Sequence, residues 1–209
     1  MENITFNFIC GTLLRECFFF GEKMNKLDAI NLMLSRINQA PIATLQGSKT
    51  ARIIIAENIL RDEIYSFQMQ SFAFNEIEHY TLHPDENGEV LLPKGTLKVY
   101  PCRECFDGNF YVQRGNRMYN KTRNTYKINK PLEVNIITEM DFEDLPEPAK
   151  LYIVKKSANV FVETIKDSQS KVKYTEQEIF EAKQILDEYE ADCGNYNILE
   201  IYNDKRYLG

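Results

Sequence analysis

The sequence predicts an α+β protein: a helical bundle drawn from both ends of the chain, an inserted antiparallel β region and an extended C-terminal tail. Three observations predict it. Apolar residues recur at helical spacing near both ends, at Leu27, Ile30, Leu34 and Ile37 and again at Ile179, Ala182, Leu186, Tyr189 and Cys193. Between residues 76 and 138 this spacing gives way to short runs rich in Tyr, Val, Ile and Thr, punctuated by turn dipeptides. Beyond Gly194 and Asn195, both helix stoppers, the chain runs on through apolar residues too few to form a core of their own.

The first helix ends before Pro41. Ser48 or Thr50 can cap the second, whose face carries Ile53, Ala56, Leu60, Ile64 and Phe67. Ile54, Ile55 and Ile59 widen that face and predict burial on more than one side. In the middle of the chain, residues 111–113, 118–120, 126–128 and 134–137 read as antiparallel strands. Asn87-Gly88, Asp107-Gly108 and Gly115-Asn116 read as the turns. Helices resume after Asp144, where Leu-Pro-Glu-Pro suits a first turn, and Leu151, Val154, Ala158, Phe161 and Ile165 form the next stripe. Thr175 and Glu178 have the spacing of a capping box for the last helix. The expected organisation is a discontinuous helical domain (24–75 and 144–192), a β insertion (76–143), a docking tail (193–209) and an N-terminal extension (1–23).

With 209 residues and a 44% apolar fraction, the chain supports an ordinary core. A net charge of −6 argues against a dedicated nucleic-acid binder, whose affinity comes from Lys and Arg on phosphates. Five cysteines, an odd number with one close pair, point to free thiols made in a reducing compartment. The longest apolar stretch, residues 4–20, is interrupted by Arg15 and Glu16. It reads neither as a membrane span nor as a signal peptide.

Candidate chemistry is sparse. Cys102 and Cys105 have the spacing of a zinc half-site, and His79 and His83 are the only histidines. On an extended strand, residues four apart are separated by about 13 Å, so the histidines do not complete it and no metal site is assigned. Redox use of the cysteine pair is weaker still, because the pair does not open a helix after a strand. Acids such as Glu143, Asp144 and Glu147 could serve as glycosidase carboxylates, but they equally suit the start of a helix. Arg114, Arg117, Lys121, Arg123, Lys127 and Lys130, interleaved with Tyr119 and Tyr126, make the hairpin region locally basic. That surface fits phosphate or DNA contact, an acidic partner, or simple solvation. No catalytic residue or cofactor is assigned.

Several segments, taken in order, carry a resemblance. They are LDAINLMLSRINQAPIATLQG (27–47), SFAFN (71–75), LLPKGTLKV (91–99), YVQRGNRMYN (111–120), LEVNII (132–137), FEDLPE (142–147) and YEADCGNYNIL (189–199). This series resembles the tail tubular protein A family, the head-to-tail adaptors of short-tailed phages. Phe72 stands where that family usually has Trp, and residues 1–23 and 201–209 depart from its pattern.

The resemblance implies a structural virion protein with no shared catalytic residue. It implies a homo-oligomeric ring of twelve subunits that binds the phage portal protein and receives the tail nozzle, a tail tubular protein B-like partner. Genomic DNA leaves through the channel, and no membrane is involved. The helical part and the tail would contact the portal, with Tyr196, Asn197, Ile198, Leu199, Ile201 and Tyr202 as docking residues. The β part would face the nozzle, with Arg114, Arg117, Lys121 and Arg123 towards DNA or a partner. The competing reading is a cell-wall glycan hydrolase carried in the tail.

Met24 opens a cleaner sequence than Met1, so residues 1–23 are expected to be a dispensable extension. Starting the chain at Met24 should leave folding intact, as judged by circular dichroism and thermal melting. A folding defect in that shortened protein would refute dispensability.

Overall fold

A computed structural model describes residues 23–47, 50–102, 107–165 and 171–193. Helix α1 (Lys26–Ser35) begins with a reciprocal cap. The Asn25 side chain accepts the Asp28 N–H at 3.0 Å, and Asp28 accepts the Asn25 N–H at 3.1 Å. The helix stops well before Pro41. Asn38 adopts a left-handed φ of 55°, which lets the Gln39 N–H return to the Leu34 carbonyl. Asparagine rather than proline therefore sets the end.

Helix α2 (Ala51–Gln68) buries Ile53, Ala56, Leu60 and Phe67. Ile54 is exposed and Ile55 and Ile59 are half-buried, so the isoleucine run broadens one face instead of burying several. Thr50 sits at the cap position but makes no side-chain capping bond, and Ser48 lies outside the described residues.

The strands are β1 (Glu76–Leu82), β2 (Thr96–Pro101), β3 (Tyr111–Arg114), β4 (Arg117–Asn120) and β5 (Leu132–Thr138). They form an antiparallel sheet in the order β1-β5-β2 and a β3-β4 hairpin. Residues 126–128 are not a strand. Asn124 and Asn129 bracket them at φ 56° and 53°, so the run cannot extend into a ladder and makes a single bridge, Lys127 to Glu89. Ile128 still reaches the β core. Strand β2 has no alternating pattern to reveal it, because Val99 is its only buried residue. It lies at a sheet edge, where Pro101 is tolerated. Gln113 Oε1 accepts the Val99 N–H at 3.1 Å and so caps part of that edge.

Helix α3 (Glu147–Thr164) starts with a proline in its first turn. Its buried stripe runs through Ala149, Ile153, Val154, Ser157, Ala158, Phe161 and Val162, while Leu151 is only half-buried. The expected capping box opens α4 (Glu176–Cys193). The Thr175 N–H donates to Glu178 at 2.7 Å, and the Glu178 N–H donates to Thr175 Oγ1 at 3.2 Å. The backbone bond from Thr175 holds the Glu178 carboxyl below its ordinary pKa.

Two clusters of buried side chains result. One joins α1, α2, α3 and α4 around Phe142, Phe161 and Leu186, and the other joins the strands around Val90, Met118 and Ile136. The aromatic motif lies where they meet: Phe72 stacks on Phe67 at 4.5 Å and on Phe74 at 5.1 Å between ring centroids.

Three helical amides pin the connecting segments, each pairing with both backbone groups of one residue. Asn31 binds Ile42 at 3.0 and 2.8 Å. Gln68 binds Met140 at 3.0 and 2.7 Å. Asn159 binds Tyr174 at 2.9 and 2.8 Å. Gln68 is fully buried, and its own carbonyl accepts from Asn75 Nδ2 at 2.9 Å.

Only an amide supplies both a donor and an acceptor here. Gln68→Glu keeps the shape but sets a carboxylate against the Met140 carbonyl. It should cost about 3 kcal/mol at neutral pH in urea denaturation. Protonation restores a donor, and the opposing carbonyl raises the folded-state pKa of the new carboxyl, so the loss should shrink as pH falls through that raised value and level off below the ordinary carboxyl value of about 4.3. A loss independent of pH would show that the donor is unimportant.

Candidate functional site

The β3-β4 hairpin turns at Gly115, whose φ of 63° suits a residue without a Cβ. The turn places Arg114 directly opposite Arg117. Two like charges in that position repel. Each finds its own relief: the Arg114 guanidinium lies 3.6 Å from the centre of the Tyr119 ring, and that of Arg117 lies 4.4 Å from Tyr126. The two tyrosines meet edge to face at 4.8 Å. Arg117 also pairs with Glu89 at 2.7 Å, and this hydrogen bond raises its already high pKa.

Lys130 is likewise engaged, pairing with Asp107, which also accepts the Tyr111 hydroxyl at 2.8 Å. Burial alone would raise the Asp107 carboxyl, but bonds from Lys130, Tyr111 and Asn109 hold it well below the usual range. The sequence reading treated the cations of this segment as one surface, and the structure divides them. Arg117 and Lys130 brace the β part, and Arg114 covers Tyr119. Lys121, Arg123 and Lys127 project from exposed positions.

Helix α4 carries charge of the opposite sign to these projecting cations. In α4 seven acids stand against Lys183 alone, and Phe180 and Ile185 are exposed beside them. A cleft of about 560 Å³ opens between α1, α2 and the segment after β5, lined by Ile30, Leu60, Ile64, Met140 and Phe142.

The candidate glycosidase carboxylates lie at the start of α3 and its approach. Glu143 pairs with Lys26 at 3.4 Å, and Glu147 binds the buried Lys150 at 2.8 Å and the Met24 N–H at 3.2 Å. Burial would raise the Glu143 carboxyl, but backbone N–H groups and Lys26 together hold it below its ordinary value. These acids fasten the start of α1 to the start of α3. The expected docking residues Tyr196, Asn197, Ile198, Leu199, Ile201 and Tyr202 lie outside the described residues. Among the described residues no helix is long and apolar enough to cross a membrane.

Helix α4 and the exposed Lys121, Arg123 and Lys127 thus present charges of opposite sign, a pattern suited to assembly with other proteins. The assembly is a phage tail: the chain belongs to the tail tubular protein family, whose model matches residues 27–196. It is similar to Tail tubular protein A of Klebsiella phage KP34, with 24% identity over 155 residues, covering 74% of this chain and 81% of that protein. The resemblance drawn from the ordered motifs is thereby confirmed, and the chain is a structural component of the virion tail.

Arg117→Ala should lower the melting temperature by about 2–4 °C, because it frees Glu89 and uncovers Tyr126. Lys121→Ala and Arg123→Ala should shift it by less than about 1 °C. Equal losses in all three variants, read by thermal melting, would erase the division between bracing and projecting cations.

Proposed function

We propose that this chain is the head-to-tail adaptor of its virion, a non-enzymatic protein forming a ring of twelve copies between portal and tail nozzle around the DNA exit channel. The observation that carries this is the continuous family match from residue 27 to residue 196. It takes in both halves of the helical part, the whole β insertion and the start of the tail. The relative's printed name, Tail tubular protein A, supports the same reading. Synthesis in the host cytoplasm agrees with the free thiols of Cys102 and Cys193.

In this reading each segment of the chain has its own role. Residues 24–75 and 144–192 form the portal-side domain, 76–143 the nozzle-side domain and 193–209 the docking tail. Burying Tyr196, Ile198, Leu199, Ile201 and Tyr202 on the portal contributes about 1.5–3 kcal/mol per side chain before ordering costs. A ring multiplies such weak pegs, because docking one copy raises the effective concentration of the next. Lys121 and Arg123, exposed and without an ion pair among the described residues, are placed to touch passing DNA or an acidic partner. The hydrolase reading gains no support from the family match or from the relative.

Deleting residues 195–209 should leave a soluble folded protein that no longer joins portal rings in negative-stain images. Normal assembly of the truncated chain would refute tail docking. Reversing Lys121 and Arg123 to Glu should abolish weak, salt-dependent DNA binding, and unchanged binding would remove DNA contact from these residues.

A further inference from the structure

Strand β1, an edge strand, is bulged midway along its pairing with the central strand β5. Ile77 pairs with Ile136 and Tyr80 with Val134, so Glu78 and His79 together oppose Asn135. His79 adopts a φ of 53°, a conformation that residues with side chains use sparingly. Its N–H, removed from the ladder, donates to Asn135 Oδ1 at 3.2 Å. The side chain thereby turns towards the neighbouring strand. Its Nδ1 lies 2.6 Å from Glu133 Oε1 on β5 and 3.7 Å from Cys102 Sγ, just beyond β2. Cys102 is buried, and its N–H donates to the Glu133 carbonyl at 3.3 Å. Three ligand-bearing side chains from three chain segments thus place their donor atoms within 4.8 Å of one another.

We propose that His79, Cys102 and Glu133 form a binding site for a divalent cation of the zinc class. A thiolate, an imidazole and a carboxylate together favour zinc over magnesium or calcium, which prefer all-oxygen shells. In a tetrahedral site with Zn–N near 2.0 Å and Zn–S near 2.3 Å, neighbouring ligand atoms lie about 3.3–3.6 Å apart. The His79–Cys102 separation already matches. The His79–Glu133 pair, now at hydrogen-bond distance, opens by roughly 0.7 Å as the cation replaces the proton between them. The fourth position remains for water or an exogenous ligand. The bound cation ties the bulge of β1 and the end of β2 to the central strand β5. This site is independent of the adaptor reading. It shares Cys102 with the half-site visible in the sequence; His83 is not in the cluster, and Cys105 lies outside the described residues.

The test uses the full chain, stripped with a chelator under reducing conditions and titrated with Co2+ and then Zn2+. About one equivalent should bind, with a thiolate-to-cobalt absorption band, and zinc should raise the melting temperature. Cys102→Ser should abolish the band, and His79→Gln and Glu133→Gln should weaken uptake by about 100-fold or more. Cys105→Ser should retain both. X-ray absorption of the zinc-loaded wild-type protein should show one sulfur among nitrogen and oxygen ligands, a readout that needs no variant to fold. No stoichiometric uptake, a shell with no sulfur or several, or uptake that survives His79→Gln in a folded variant would each overturn the site.

Discussion

The paired amide of Gln68 is the contact on which the joining of the two cores depends. The chain leaves the helical part after α2 and returns after β5, and these crossings run side by side. Gln68, the last residue of α2, holds Met140 on the returning segment by both backbone groups. Asn75 then links the outgoing segment back to the Gln68 carbonyl and, through its own carbonyl, accepts from Thr138 at the end of β5 at 2.8 Å. Without these bonds, backbone N–H and C=O groups would be stranded beside the stacked Phe67, Phe72 and Phe74 rings, where water cannot serve them. Asn31 and Asn159 repeat the device at two other loops, so the same chemistry ties down segments that have no sheet or helix to pair with.

Charge is handled by the same economy of local partners. Lys150, almost fully buried, is tolerated because it donates to the Glu143 carbonyl at 3.0 Å and to the Glu147 carboxylate at 2.8 Å. Arg117 and Lys130 are balanced by Glu89 and Asp107 across the β part. Lys121 and Arg123 make no ion pair among the described residues, and the acids of α4 far outnumber its single lysine. Charge of opposite sign is thus exposed at two places, the cations at Lys121 and Arg123 and the acids of α4, where it can steer an approaching partner.

Local signals made much of this legible. The helical stripes, the Thr175–Glu178 box and the glycine turns need only neighbours three or four residues away; the box and the left-handed glycines stand as read, while in the stripes Leu151 and Tyr189 are only half-buried and Cys193 is exposed. What escaped depends on distant partners. Nothing near Arg117 in the sequence announces Glu89, and β2 shows no alternation because only Val99 is buried. The run 126–128 has strand composition, but the left-handed asparagines on either side break it. His79 shows the limit most sharply. Regular strand spacing excluded it as a ligand alongside His83. The bulge that changes its direction, and the carboxylate on β5 that meets it, belong to tertiary pairing.

These constraints bear on where a tail component can place its recognition. Much of the polar chemistry at the joints is already consumed: the amides hold loops, Glu143 and Glu147 hold the two helix starts together, and Asp107 holds a turn. Changing such a residue to suit a new partner would strand a buried group and weaken the frame. The side chains of Lys121 and Arg123, exposed and without an ion pair among the described residues, carry no such obligation. In the proposed ring, even a weak new contact would gain through repetition. Divergence is therefore expected to concentrate in residues 1–23 and 201–209, which also depart from the family pattern, while the paired amides and caps persist.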